Sequence, residues 1–84
     1  MMSTDTLKTI DPRMITFVYR NHERKVERRF VIPESIEFES VQPYYEEEQW
    51  LMNAFDVKRQ ARRTFSMLNI LSTIEKVKEG MHGL

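Results

Sequence analysis

The chain has no cysteine and only two glycines, Gly80 and Gly83, both within its last five residues. Without thiols, neither a disulfide framework nor a thiolate zinc site can support the fold, so an apolar core must do so. Without a glycine-rich loop, the backbone cradle that holds nucleotide phosphates is excluded. The two histidines, His22 and His82, have no partners at metal-ligand spacing, so neither a metal nor another cofactor is expected. No glycine-flanked serine forms a nucleophile elbow, and Glu46, Glu47 and Glu48 read as a solubilising run rather than as paired catalytic carboxylates. The protein is therefore not expected to be an enzyme. A run of about 18 apolar residues is also missing, and the N-terminus, MMSTDTLKTIDPRM, lacks the basic start and apolar stretch of a signal peptide. A soluble, intracellular protein with no membrane partner is the expectation.

What is present is charge, unevenly placed. Thirteen Lys and Arg balance 13 Asp and Glu. Arg20 to Arg29 holds five basic and two acidic residues, Lys58 to Arg63 four basic and none acidic, and Glu34 to Asp56 seven acidic and none basic. Local potential steers an anionic ligand more than net charge does. Two basic patches beside an acidic flank either mark such a site or are solvated strand faces and turns.

Eighty-four residues suit a single domain over 1–84 with a small core. TLKTI places Leu7 and Ile10 at helical spacing before Asp11-Pro12, which predicts a short helix over about 4–10. RMITFVYR alternates Ile15, Phe17 and Tyr19 against Thr16, Val18 and Arg20, as a strand does. NHERK is a polar turn in which Asn21 is best suited to a left-handed conformation. VERRFVIP gives a second strand ended or marked as an edge by Pro33. SIEFES then places Ile36 and Phe38 inward and Glu37 and Glu39 in water, with a bulge or bend expected at the out-of-phase Val41. After the loop QPYYEEE, QWLMNAFDV is apolar on both faces and reads as a central strand. KRQ turns the chain into ARRTFSM, the fifth strand.

Met67, Ile70, Leu71, Ile74, Val77 and Met81 recur at three to four residues, with Ser72 and Glu75 spaced as a capping box. A C-terminal helix over about 70–80 is predicted, ended by Gly80. Five short strands over about 13–68 with tight turns imply a strongly bent antiparallel sheet closing into a partial barrel, the arrangement that removes exposed edges.

Arginines alternate with aromatics: Tyr19 and Arg20; Arg28, Arg29 and Phe30; Trp50; then Arg62, Arg63 and Phe65. A guanidinium matches phosphate and a ring can stack on a base, so the set suits single-stranded nucleic acid or a nucleotide-like effector. The competing reading packs Tyr19, Trp50 and Phe65 in the core. Alternation puts Arg63 on the face of Phe65, where a charge needs either a buried partner, with Asp56 at hand, or a cavity open to ligand.

In their order and spacing, MITFVYR, ERRFVIP, QWLMNAFD and RRTFSMLNI resemble the WYL domain, a regulatory module of bacteria and phages. The likeness runs from about Leu7 to Ile70. It implies a mainly β, Sm-like (SH3-type) five-stranded, partly open antiparallel barrel with short terminal helices. It also implies sensing of single-stranded RNA or DNA, or of another effector. Carried over by position, it assigns Arg29 and Arg63 to phosphate and Tyr19 and Trp50 to stacking or the site wall. Arg20, Arg28 and Arg62 add supporting charge. Two positions depart from the family: the naming Trp-Tyr-Leu triplet reads Trp50-Leu51-Met52, and the arginine usual before the final isoleucine is Asn69.

The resemblance thus predicts a stand-alone WYL-like binding module of the bacterial cytoplasm, or of a phage protein inside its host. Such a module would modulate a partner protein in transcription or defence. A second expectation is a protein-interaction module, homodimeric or docked on a phage or host protein, that has lost ligand sensing. The missing tyrosine, Asn69 and the apolar tail stripe favour the second.

Overall fold

In the computed structural model, residues 11–41 and 45–78 are described. The helix expected over about 4–10 lies outside them. Five strands form one antiparallel sheet: β1 (Ile15–Arg20), β2 (Val26–Val41), β3 (Tyr45–Asp56), β4 (Ala61–Ser66) and β5 (Glu75–Lys76), in the order β4-β3-β2-β1-β5. A single 3-10 turn, Met67–Asn69, links β4 to the tail.

The sheet bends strongly. Two strands separate β1 from β4, yet the rings of Phe17 and Tyr19 meet Phe65 edge to face, with centroids 5.5 and 4.9 Å apart. The Ser66 N–H donates to the Tyr19 hydroxyl at 2.9 Å across the same gap. Phe17, Tyr19, Val31, Met52, Ala54 and Phe65 fill the concave side. On the other side Met14, Phe30 and Val77 form a smaller cluster with Ile32 and Val57. Each large side chain so buried contributes about 1.5–3 kcal/mol relative to exposure. No strand pairing joins β4 to β1 or β5 among the described residues, so the sheet is curled but not closed.

Tyr19 is thereby a core residue, 4% exposed, with its hydroxyl committed to a backbone donor. Tyr19→Phe is expected to leave the Ser66 N–H buried without that acceptor, at a cost of about 1–3 kcal/mol in urea unfolding.

The strand boundaries differ from expectation in two places. Pro33 does not end β2, which runs on for 16 residues in all. Pairing of β2 with β1 stops at Val31, and a register shift falls between Pro33 and Ser35, so the missing proline N–H sits at a bulge beside an edge without a described neighbour. The two expected strands on either side of Pro33 are therefore one. The second register shift, between Glu39 and Val41, falls where the phase change at Val41 predicted it. Last, β3 begins at Tyr45, so the expected loop over 42–48 is shorter.

No helix forms over the described part of 70–80. Ile70 bridges Tyr19, the Leu71 N–H donates to the Val18 carbonyl at 2.8 Å, and the Ser72 hydroxyl accepts from the Val18 N–H at 2.9 Å. Glu75 and Lys76 pair with Thr16 and Ile15. The outer edge of β1 presents backbone groups that need partners, and the tail meets that need as an extended chain. Ser72 thus serves β1 rather than capping a helix.

The two polar turns also sort differently. Asn21 accepts N–H bonds from Glu23 and Lys25 through its side chain, while Arg24 takes the left-handed conformation at φ 67°. Upstream, Asp11 accepts from the side chain and backbone N–H of Arg13, which hold its carboxyl at about 2, below its usual 3.8.

Candidate interaction surface

The sequence singled out Tyr19, Arg20, Arg28, Arg29, Trp50, Arg62 and Arg63, and the fold distributes them over four places. Arg29 is buried with Tyr19. Its Nη1 donates to Asp56 Oδ2 at 3.1 Å, its Nη2 lies 3.2 Å from Glu27, and its guanidinium carbon lies 5.7 and 5.5 Å from the ring centroids of Tyr19 and Phe65. The Nε of Arg29 is buried without a hydrogen-bond partner. Asp56 is fully buried and also accepts from the Arg59 backbone N–H at 3.1 Å, while the Arg59 side chain reaches Glu27. The carboxylate considered for Arg63 thus holds Arg29, because Val31 and Asp56 are cross-strand partners and Arg29 lies two residues along β2 on the same face.

Arg63 is exposed and has no carboxylate partner among the described residues, so it is not buried although it keeps the phase of Phe65. It lines a shallow groove of about 430 Å³ with Glu34, Ser35, Asn53, Arg62 and Thr64. Within that groove Arg62 Nε donates to both carboxylate oxygens of Glu34, at 3.1 and 3.0 Å. One arginine is neutralised there and one is not. Arg20 and Arg28 lie at the end of the sheet near the Asn21–Lys25 turn, where the exposed Arg24 and Lys25 also sit. The side chains of Tyr19, Phe30 and Phe65 that were to interleave with these cations are all buried.

Trp50 lies elsewhere. Arg63 pairs with Ala54, four residues along β3 from Trp50 and so about 13 Å away. Before Leu51, β3 has no β4 partner, and past Val31, β2 has no β1 partner. From the Phe38–Trp50 pair to the Val41–Tyr45 pair the sheet is thus a two-stranded arm among the described residues. The molecule is correspondingly elongated, 47 × 21 × 19 Å.

Ile36 and Phe38, expected inside, are 56% and 53% exposed, and Trp50 is 56% exposed. Phe38 and Trp50 meet edge to face at 5.3 Å between centroids. Ile36 pairs with the buried Met52, so these three residues continue the concave apolar face out past the point where β1 and β4 cover it. Together they expose on the order of 300 Å² of apolar surface. Around them Glu37, Glu39, Glu47 and Glu48 are exposed with no cationic partner among the described residues. Alternation identifies which residues share a face but not whether anything covers that face, so Ile36 and Phe38 keep the phase of the core and yet lie exposed. The available signal was the Glu34-to-Asp56 stretch without a single base, which marks the segment as set apart from the basic body.

Among the described residues no group of three His, Asp or Glu side chains comes together to hold a metal, and no helix is long and apolar enough to cross a membrane. No protein-family model matches the chain, and searches of curated proteins and of solved structures return no significant match.

Proposed function

We propose that this chain is a protein-interaction module that docks a partner protein on the apolar face of its arm. The observation that carries this reading is the exposed Ile36, Phe38 and Trp50 cluster, with the Phe38–Trp50 pair on a ribbon without described neighbouring strands and Ile36 at its base. The largest apolar patch on a typical monomer is of this size and is often functional, and aromatic residues anchor protein interfaces. A nucleic-acid site needs stacking rings and phosphate-binding cations side by side. Here the exposed rings lie on strand segments that also carry Glu37, Glu39, Glu47 and Glu48, while Arg20, Arg28 and Arg63, without a carboxylate partner among the described residues, sit away from them. Pairing of the β2 edges of two copies would set Glu37 and Glu39 of one beside those of the other, so the partner is a different protein.

The body that carries the arm is, in this reading, an SH3-type partial barrel of the kind the WYL resemblance implies, acting inside a bacterial cell. The meander order and the helical turn before a last strand that returns to β1 support it. Loss of the triplet tyrosine fits a module that no longer senses a small effector, since Leu51 at that position is fully buried.

The double variant Ile36→Ser with Phe38→Ser tests the docking face. It is expected to unfold within about 1 kcal/mol of the parent, because exposed positions contribute little, while losing the binding of an apolar fluorescent dye. Unfolding of the variant would show instead that the two side chains are core.

A further inference from the structure

We infer that the arm binds its partner by strand addition, taking an extended segment that alternates apolar with basic residues along the open edge of β2. The inference rests on the arm being a docking site and specifies the chemistry of what docks. Between the register shifts, Ser35 to Glu39 is a regular five-residue run with β3 on one side and no described strand on the other. An edge of this kind presents a row of backbone N–H and C=O groups, which is the template for adding a strand. A two-stranded ribbon is marginal alone in water, and a third strand is what stabilises it.

Side chains along the run settle the pattern of the incoming strand. Ile36 and Phe38 point to the face that carries Trp50 and Met52, while Glu37 and Glu39 point to the other. Residues of an added strand that lie beside Ile36 and Phe38 are apolar and cover Trp50. Those that lie beside Glu37 and Glu39 are Lys or Arg, since opposite charges across a strand pair attract and like charges repel. Glu47 and Glu48 add to the same potential from β3. A second copy of the arm is excluded as the added strand by the same rule, because it would set glutamate beside glutamate.

The test uses the full chain and short synthetic peptides: one alternating Val with Lys, one alternating Val with Glu, and the Lys peptide N-methylated at alternate backbone nitrogens. The Lys peptide is expected to shift Trp50 emission to the blue and to slow hydrogen exchange at those amides of Ser35–Glu39 that do not pair with β3. The Glu peptide should bind at least about tenfold more weakly, and N-methylation should abolish protection. Glu37→Lys with Glu39→Lys should reverse the preference between the two peptides. Equal binding of both peptides overturns the proposed charge pattern. A Trp50 shift without amide protection overturns strand addition but leaves docking on the arm face intact. No response to any peptide, together with quenching of Trp50 by a single-stranded oligonucleotide, overturns the docking reading itself.

Discussion

Asp56→Ala is expected to destabilise the protein by about 3–5 kcal/mol, the cost of leaving a buried guanidinium without its counter-charge. The total stability of a chain of this length is about 4–13 kcal/mol, so the variant should be largely unfolded in mild urea. Asp56 is fully buried and accepts from the Arg29 guanidinium and from the Arg59 N–H, and nothing else within reach replaces it for Arg29 except Glu27, which is itself shared with Arg59. The pair is not thereby a large net source of stability. Burying both charges has its own desolvation cost, and Arg29 Nε is left without a hydrogen-bond partner. Arg29→Met combined with Asp56→Leu should therefore cost less than Asp56→Ala alone. Urea unfolding of the two variants gives the comparison, and a double variant less stable than Asp56→Ala would contradict it.

Phe65→Ala should cost about 3–5 kcal/mol, whereas Trp50→Ala should cost about 1 kcal/mol or less. Phe65 is 2% exposed and packs edge-on against both Phe17 and Tyr19, so truncation opens a cavity at the point where β4 folds back onto β1. This contact, with the Ser66 N–H bond to the Tyr19 hydroxyl, packs β4 against β1 across the curled sheet, and its loss should loosen β4 as well as lower the melting temperature. Trp50 touches Phe38 on the arm and is more than half exposed, so its removal leaves the body unchanged. The larger aromatic side chain is thus expected to matter less for folding than the smaller one, a contrast that melting curves of the two variants read directly.

Much of the strand framework was legible because 15–20, 26–32 and 61–66 are rich in β-branched and aromatic residues bounded by polar turns, although burial follows the alternation in none of the three: 26–32 buries Arg29, Phe30 and Val31 in a row, and 61–66 buries the adjacent Phe65 and Ser66. The double-sided apolar pattern of 49–57 marked the central strand. The tail was misread because Ile70, Leu71, Ile74 and Val77 have helical spacing, yet they are also able to form the extended segment that the open edge of β1 requires. A local pattern lost there to a distant hydrogen-bonding demand. The assignment of charges failed in a related way. Alternation pointed to Arg63 as the core-facing arginine, but Arg63 lies on β4, at the edge of the sheet, whereas Arg29 lies on β2 between β1 and β3 and is paired with the buried Phe17. Depth within a sheet depends on which strands lie alongside, and no single strand's sequence carries that information. Trp50 and Arg63 lie in the same phase of adjacent strands, and the four-residue offset between them is what separates ring from charge.

The claim that ring and charge are separated is tested most directly by titrating the chain with a mixed-sequence single-stranded oligonucleotide at low salt, where electrostatic binding is strongest, and following the emission of Trp50, the sole tryptophan. The arm's carboxylates should keep phosphates away, so emission should not change, even if weak contacts form at Arg20, Arg28 or Arg63. Saturable quenching of Trp50 that weakens as salt is raised would contradict the account and restore a nucleic-acid site that includes this ring.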